Sequence, residues 1–371
     1  MKLICPTPSC PHHKPNQTTQ WYDYHGSYTS CGVVRQRYRC RACGRTFSER
    51  TLSVDYWAHF DIDYPLLISL IASGLSVRGL SRHFGISVKT AQNRIGRLAR
   101  TIIASVSVLQ RSIELSEHLV ADGLENFCVS QDFPNNIHLL VGKDSQFTYG
   151  INYALMRRKG TMTDEQKKRC KILYKRVDFR KYSIQKTFSE LICQMNRVAG
   201  DKPELRLYTD ERVQYKNALA KDRQIQKRVT SERFKHITIS SQAPRTVLND
   251  LFSVNYTDRE IRKDVPEYHR ETVCFGRNVS NSLERLCVYL FHHNFIKLYR
   301  IDVKGEDRTH AEVAGLSRQE VLKIRSDVIT RRRFLSDGEV KTGGFYDVLW
   351  RRLIPTPLKK NPEYLQKFAL V

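Results

Sequence analysis

The sequence predicts a multidomain protein in which a cysteine-rich segment and an all-α segment precede a larger α/β domain. Paired cysteines fall within the first 43 residues, helical segments follow between residues 62 and 104, and strand-like runs alternate with helical patterns further on. A length of 371 residues and an apolar content of 40% leave room for two or three domains with a hydrophobic core. We place the domains at residues 1–50, 51–105 and 115–300, followed by a basic C-terminal extension at 301–371.

The chain is strongly basic. It has 62 Lys and Arg residues against 38 Asp and Glu, a net charge of +24 and a pI near 9.7. This excess indicates a polyanionic partner, with nucleic acid as the first candidate. Because the sequence has no run of about 18 or more apolar residues and no signal-peptide core near its start, we expect a soluble, unprocessed protein that does not enter a membrane. Half of the ten cysteines lie in the first 43 residues and the rest are scattered, which favours a metal site in a reducing compartment over a disulfide framework.

Residues 1–50 contain two cysteine pairs with the spacing of a zinc ribbon. The pairs are Cys5 with Cys10, spaced C-x4-C, and Cys40 with Cys43, spaced C-x2-C. A glycine follows the second pair, where a knuckle turn needs one. Four thiolates arranged in this way predict a tetrahedral, structural Zn²⁺ site.

Other residues of this segment compete for the metal or face a partner. Cys31 and the His12-His13 pair are rival zinc ligands. Basic side chains around the second cysteine pair predict phosphate contacts, and a solvated basic face is the alternative. The arginines that we predict to bind DNA are Arg39, Arg41 and Arg45.

Residues 62–104 carry the start and stop signals of a helix-turn-helix. A first helix has Pro65 in its first turn and ends at Gly74, and Ser76 is placed to cap the second helix. A turn at Gly85 then leads to a third helix capped by Ser87.

The third helix of this segment combines an apolar stripe with a basic, amide-bearing face. The residues of that face are Lys89, Thr90, Gln92, Asn93, Arg94 and Arg97. Such a face suits the major groove of duplex DNA, so we predict that these residues bind DNA. An ordinary three-helix packing unit with a solvated charged side is the alternative.

The next part of the chain is predicted to contain three strands, a helix and a fourth strand, in that order. Strands are predicted at 119–121, 137–142, 147–155 and 205–210, the helix at 183–198, and a fifth strand at 235–240. Gly123 marks a position where the backbone passes close to another group. This order predicts an α/β RNase H-like core with a mixed five-stranded sheet and helices.

Acids are predicted on three separate elements of this core. Asp122 follows the first strand, Asp210 ends the fourth, and Glu284 borders the apolar stripe of a helix that opens near Asn278. Three carboxylates placed in this way suit a phosphoryl-transfer site with two divalent ions about 3.5–4 Å apart. Glu271 is a rival for the third position.

Several motifs carry a family resemblance. In chain order they are the two cysteine pairs with Tyr38-Arg-Cys-Arg-Ala-Cys-Gly-Arg-Thr-Phe47, the helix-turn-helix, Ala121-Asp-Gly-Leu-Glu-Asn-Phe127 with Gln131-Asp-Phe-Pro134, Thr209-Asp-Glu211 with Tyr215, His269-Arg-Glu-Thr272, and Leu283-Glu-Arg285 with Asn294. Over nearly its whole length the chain resembles bacterial insertion-sequence transposases of the DDE type that carry an N-terminal zinc ribbon. The additional Cys31 departs from that pattern.

The resemblance implies roles for the acids and their neighbours. It makes Asp122, Asp210 and Glu284 the catalytic ligands of Mg²⁺ (or Mn²⁺), beside the structural Zn²⁺ of the ribbon. His269 and Arg270 either contact DNA or the scissile phosphate, or are structural.

The function implied is DNA transposition. The N-terminal modules would bind terminal inverted repeats in double-stranded DNA, and the core would nick donor DNA and join the freed 3′-OH to target DNA. Pairing two DNA ends implies a homo-oligomer, and the family implies a location in the prokaryotic cytoplasm at the nucleoid. The alternatives are a non-catalytic DNA-binding transcriptional regulator derived from a transposase, and a nuclease acting on RNA–DNA hybrids, which would not need a helix-turn-helix.

Overall fold

The computed structural model describes residues 3–13, 20–109, 113–334 and 344–359, so part of the predicted extension 301–371 lies outside the described residues. The N-terminal segment forms a three-stranded antiparallel sheet. Its strands are β1 (Tyr22–Ser30), β2 (Val33–Cys40) and β3 (Thr46–Ser48), with β2 in the centre. Aromatic side chains fill the small core of this sheet, where Trp21 stacks on Phe47 at 5.5 Å between ring centroids.

The next segment is helical, and its ends follow the predicted signals. The helices are α1 (Tyr64–Ala72), α2 (Val77–His83) and α3 (Val88–Leu109). The Oγ of Ser76 accepts a hydrogen bond from Gly79 N at 3.1 Å, and the Oγ of Ser87 accepts one from Thr90 N at 3.0 Å, which confirms both predicted caps. Gly85 adopts a left-handed φ of 63° in the turn between α2 and α3.

A mixed five-stranded sheet forms the centre of the larger domain. The strands are β4 (Leu119–Phe127), β5 (Pro134–Gly142), β6 (Thr148–Leu155), β7 (Leu205–Asp210) and β8 (Phe234–Ile239), in the spatial order β6-β5-β4-β7-β8. The first three strands are antiparallel, whereas β7 and β8 run parallel to β4. This topology is compatible with the predicted RNase H-like core.

Helices cover the sheet and continue into the C-terminal part of the chain. They are α4 (Asp164–Tyr174), α5 (Ser183–Ala199), α6 (Val213–Lys221), α7 (Arg223–Thr230), α8 (Phe252–Asp264), α9 (Val279–Phe295), α10 (His310–Val313), α11 (Arg318–Thr330) and α12 (Gly344–Trp350). Helix α8 packs on β4 and β5, and α5 packs on β5 and β6. Helix α9 packs mainly on α3 and α1, which joins the helix-turn-helix to the core. No helix in the described part of the chain is both long and apolar enough to cross a membrane.

The segment after α11 returns to the N-terminal sheet. Arg332 N donates to Leu52 O at 2.8 Å, and the Arg332 guanidinium stacks on the Tyr56 ring at 3.7 Å. Phe334 is buried in the core of the N-terminal sheet, with its ring 5.2 Å from that of His13. The N-terminal core is therefore completed by a residue from the far end of the chain.

Candidate functional site

The four predicted zinc ligands come together at one end of the N-terminal sheet. The Sγ atoms of Cys5, Cys10, Cys40 and Cys43 all lie within 4.8 Å of one another. Cys5 Sγ is 3.5 Å from Cys43 Sγ, and Cys10 Sγ is 3.6 Å from Cys40 Sγ. A tetrahedral Zn²⁺ ion with Zn–S bonds of about 2.3 Å spaces its ligands about 3.8 Å apart. The four thiols therefore fit a structural zinc ion.

The rival zinc ligands lie outside this cluster. Cys31 Sγ accepts a hydrogen bond from Arg50 Nη2 at 3.2 Å and donates to His59 O at 3.4 Å. The Nδ1 of His13 is 2.6 Å from Cys5 O, so its ring supports the backbone of a cysteine knuckle. The structure thus separates Cys31 and the histidines from the four thiols.

Asp122 and Asp210 are level with each other in the sheet. Strands β4 and β7 pair in parallel, with Val120 opposite Tyr208, and two further residues along each strand bring the chain to the two aspartates. Side chains two residues apart point to the same face, and paired strands lie about 4.8 Å apart. Both carboxylates are therefore presented on one face of the sheet.

Strand β4 does not end at Asp122, as the sequence suggested. It continues through Phe127 on its β5 side, whereas its pairing with β7 stops at Val120. Asp122 therefore lies where the two parallel strands separate. A Cβ at Gly123 would lie 2.3 Å from the buried Asn136 side chain, which confirms the predicted close backbone approach.

A third acid, Asp258 on α8, faces this pair. Burial, followed by the charge of Asp122, raises the pKa of Asp258 to about 7. Burial also raises the pKa of Asp122 to about 6, and the charge of Asp210 adds to that rise. The Oδ1 of Asp258 is buried without a hydrogen-bond partner among the described residues. Asp122 thus lies between two acids, Asp210 and Asp258, whose charges raise its pKa or have their own pKa raised by it, which is the arrangement expected of a cation site.

The three carboxylates are spread more widely than one ion would require. Among the described residues, the four cysteines alone bring three or more candidate ligand atoms within 4.8 Å of one another. The donor chemistry still suits a divalent cation, because carboxylate oxygens are the ligands that Mg²⁺ takes and one oxygen of Asp258 has no hydrogen-bond partner among the described residues.

Basic residues surround the third acid. Asp258 lines a cavity of about 390 Å³ whose other lining residues are Arg245, Phe252, Asn255, Tyr256, Arg259, Arg262 and Arg270. The charges of Arg262, Arg245 and Arg270 lower the pKa of Asp258 and so oppose the larger effect of burial. The cavity thus offers one carboxylate for a cation beside guanidinium groups for phosphates.

Glu284, predicted as the third ligand, is placed elsewhere. Its side chain is 1% exposed, and both of its carboxylate oxygens lie 2.7 Å from Arg352 Nη1. Gln92 Nε2 is 3.3 Å from Oε2, and Arg100 Nη1 is 3.8 Å from Oε1. A Cβ at Gly96 would come within 3.0 Å of this carboxylate, so a glycine allows α3 to approach it. Arginines from α3 and the C-terminal segment already neutralise Glu284, which argues against its predicted place beside the two aspartates.

The rival residues before α9 divide into two groups. Arg270 reaches the acidic site, since it lines the cavity with Asp258. His269 lies in contact with the backbone, its Nε2 3.1 Å from Lys263 O. Glu271 is exposed and has a left-handed φ of 55°.

The predicted DNA-binding face of α3 is only partly accessible. Lys89 and Asn93 are exposed, and Thr90 and Gln92 are half-buried. Arg94 and Arg97 are 3% and 8% exposed, so the structure buries two of the predicted DNA contacts.

Those two arginines hold the segment before α1. Arg94 Nη1 donates to Asp55 Oδ1 at 2.9 Å. Arg97 stacks on the Tyr56 ring at 4.2 Å and donates to Asn93 Oδ1 at 2.7 Å. Helix α3 packs on α2, α9 and α11, which leaves only its N-terminal turns open.

The predicted arginines of the N-terminal sheet are accessible. Arg39, Arg41 and Arg45 are all exposed. Arg41 forms an ion pair with Asp23 at 2.7 Å, whereas Arg39 and Arg45 have exposed side chains at the edge of the cysteine knuckle.

Sequence reasoning missed Asp258, although a signal was present. The apolar positions Leu251, Val254, Ile261 and Val265 have a helical spacing directly after the fifth strand, and all four are buried. A helix in that position must pack on the sheet, so an acid within its apolar stripe is turned towards the sheet. Asp258 lies within that stripe, four residues after Val254 and three before Ile261.

Comparisons with known proteins give little. No protein-family model and no curated protein matches the chain. Among solved structures, a chain from the simian T-cell lymphotropic virus intasome in complex with PP2A regulatory subunit B56 gamma is similar at 13% identity and a TM-score of 0.31, over 69% of this chain and 76% of that chain. A likeness this distant carries no weight for fold or function.

Proposed function

We propose that this protein is a metal-dependent DNA transposase in which Asp122, Asp210 and Asp258 bind two divalent ions. The observation that carries the proposal is the position of these acids: Asp122 and Asp210 are level on adjacent parallel strands, and Asp258 on α8 is near enough to Asp122 for that charge to raise its pKa. Asp258 takes the role that the sequence assigned to Glu284. Mg²⁺ or Mn²⁺ is the expected metal, because the donors are carboxylate oxygens.

The proposed chemistry is in-line displacement at a phosphodiester. Ions bound at the acids would activate the attacking oxygen and stabilise the leaving one. Asp122 and Asp258 must lose their protons to bind metal, so their raised pKa values of about 6 and about 7 tie loading of the site to near-neutral pH. Arg245 and Arg270, beside Asp258, are placed to neutralise a substrate phosphate.

The remaining modules supply DNA binding in this proposal. Arg39 and Arg45 of the N-terminal sheet and Lys89 and Asn93 of α3 are exposed, and the net charge of +24 favours a polyanion. We propose double-stranded DNA as the partner. Because transposition joins two DNA ends, we also propose that two or more copies act together.

The test is a cleavage and strand-transfer assay with the full chain and DNA carrying the sequences that flank its reading frame. Asp122→Asn and Asp258→Asn should each lower Mg²⁺-dependent activity by more than the 10- to 100-fold that loss of an outer-shell partner costs. Glu271→Gln, at an exposed acid outside the cluster, is the matched control and should retain activity.

The outcomes separate the candidate functions. If the protein binds DNA but catalyses no metal-dependent cleavage or strand transfer, it is a DNA-binding regulator, whereas a metal-dependent reaction that none of the acid variants changes would place the catalytic site elsewhere. If Asp258→Asn keeps full activity and a folded Glu284→Gln variant loses it, the site consists of Asp122, Asp210 and Glu284, as the sequence predicted.

A further inference from the structure

A second large cavity lies between the helix-turn-helix and the core. It has a volume of about 780 Å³ and is bounded on one side by α2 and the first turns of α3, and on the other by residues 275–285 and Arg352. We call it the interdomain cleft. Its cationic lining residues are Arg78, Lys89, Arg100, Arg277, Arg285 and Arg352.

The charge of the cleft exceeds what the protein itself neutralises. Arg100 and Arg352 face Glu284, which lies behind the wall. Arg78, Lys89 and Arg277 have exposed side chains. The lining includes one acid, Glu267, and burial raises the pKa of its carboxyl to about 7. The cleft is therefore a surface for anions.

Two features of the cleft favour a nucleic-acid phosphate as the anion that it binds. The N-terminus of α9 opens into the cleft, where Asn278 Oδ1 caps the helix by accepting from Asn281 N at 2.8 Å, and a helix N-terminus favours phosphate. Arg285 adds a fixed charge beside it. Its side chain is 4% exposed, Nη2 donates to Leu75 O at 2.6 Å, and Nε has no partner among the described residues.

The cleft also contains groups that recognise bases. Phe275 lines it and is half-buried, with its ring 5.7 Å from that of Phe127. Gln92, Asn93 and Asn281 add amides to the lining. A basic groove with an aromatic ring and amides is the arrangement by which proteins hold single-stranded nucleic acid.

Size restricts the ligand to one strand. Sites of roughly 300–1,000 Å³ enclose a drug-sized molecule, so a cleft of about 780 Å³ admits a few nucleotides but not a duplex. We infer that the interdomain cleft binds a short single-stranded nucleic-acid segment, with phosphates on its two basic walls and a base on Phe275.

Strand β4 links the cleft to the acidic site. Cys128, just beyond β4, bridges to Gly276 in the wall of the cleft, and Asn126 Nδ2 donates to Glu267 O at 2.8 Å. Asp122 lies five residues before Phe127 on the same strand, a distance of about 17 Å at 3.3–3.4 Å per residue. A strand with one phosphate at the acids reaches the cleft within about five nucleotides of 3.4 Å rise. The identity of the strand that enters the cleft rests on the proposed function. The binding of a single strand in the cleft does not.

The experiment measures fluorescence anisotropy of a labelled short oligothymidylate and of a duplex with the full chain, without added Mg²⁺. Arg78→Glu and Arg277→Glu reverse one charge on each wall, and Arg176→Glu reverses an exposed charge outside the cleft. Each wall variant should weaken oligothymidylate binding at least about tenfold more than it weakens duplex binding, and Arg176→Glu should leave the ratio unchanged. Phe275→Leu should cost about fivefold or more in oligothymidylate affinity, because a stacked base is worth about 1–3 kcal/mol.

Three results would overturn the inference. Equal effects of a wall variant and Arg176→Glu would show no cleft site, and equal losses for duplex and single strand would make the cleft part of a duplex surface. If inorganic phosphate alone competed with the same affinity as the oligothymidylate, the cleft would be a simple anion site. Because binding is measured without catalysis, an Arg277→Glu variant that binds oligothymidylate as well as the wild type refutes the cleft alone, whereas a chain that binds oligothymidylate through Arg277 but never cleaves DNA refutes the proposed function alone.

Discussion

Glu284 and Asp258 are both acids on core helices, but the structure treats their charges in opposite ways. Glu284 is 1% exposed and receives Arg352 at 2.7 Å, with Arg100 and Gln92 behind it. Asp258 has a carboxylate oxygen without a partner, and the nearby charge of Asp122 adds to the effect of burial on its pKa.

This difference distinguishes a structural acid from a site. A buried carboxylate with its cation in place joins elements together and has no capacity left for a ligand. A buried carboxylate that has no ion pair among the described residues, although arginines lie nearby, keeps an oxygen open to a ligand. An open carboxylate oxygen therefore identifies a metal site better than the presence of an acid at a plausible position.

The largest expected effect concerns the four cysteine thiolates, whose negative charge is neutralised by a metal ion instead of by arginine. Removing Zn²⁺, or replacing Cys10 or Cys40 with Ser, should unfold the N-terminal sheet, because structural zinc contributes about 10–16 kcal/mol in small zinc domains. Metal analysis should find about one Zn²⁺ per chain, and protease protection of residues 20–52 should disappear with it. Cys31→Ser is the control and should keep both. A folded sheet without zinc would contradict the assignment.

Removing the cation of the structural acid should have the next largest effect. Arg352→Ala leaves Glu284 buried without its principal partner, and breaking such a pair costs about 3–5 kcal/mol. Urea unfolding measures the loss. The double variant Arg352→Ala/Glu284→Gln should recover most of it, because the orphaned charge is gone. A loss below about 1 kcal/mol, the value of a surface pair, would mean that Glu284 is not compensated as described.

Mg²⁺ should stabilise the protein through Asp258 and not through Glu284. Ligand binding to the folded state adds about 2.7 kcal/mol at a concentration one hundred times the Kd. Thermal unfolding with and without Mg²⁺ should show an increase in Tm for the wild type and for Glu284→Gln, but not for Asp258→Asn. An increase that survives Asp258→Asn would place the ions elsewhere.

The smallest effect is a pH dependence without metal. The folded pKa of Asp258, about 7, lies above its ordinary value of 3.8, so the folded state binds more protons than the unfolded state and stability falls as the pH rises between these values. Asp258→Asn removes this loss. Its Tm should exceed that of the wild type by about 2–4 °C at pH 8 and match it at pH 4. A gain that is the same at both pH values would exclude titration as its cause.

Local chemistry made the N-terminal part of the chain predictable. The spacing of the cysteine pairs predicted the four residues whose Sγ atoms cluster, and Ser76 and Ser87 cap the helices that they were predicted to cap. Each of these features depends on residues a few positions apart. The order of the strands along the chain was also predictable, because an alternating apolar run indicates a strand regardless of the strand with which it pairs.

Long-range contacts made the third acid and the basic face unpredictable. Whether Glu284 is a ligand depends on Arg352, 68 residues further along the chain. Arg94 and Arg97 were predicted to be exposed because one apolar stripe implies one buried face. Helix α3 instead packs on several elements, so its arginines are buried along their stems and bond to the chain before α1.

Phe334 affects the order in which the chain completes its structure during synthesis. The core of the N-terminal sheet includes this ring, which packs against His13 from a position about 320 residues later. The N-terminal sheet must therefore wait for a segment made about 320 residues later before its packing is finished. A nascent chain stalled before residue 334 should have bound its zinc but still expose the aromatic core of its ribbon.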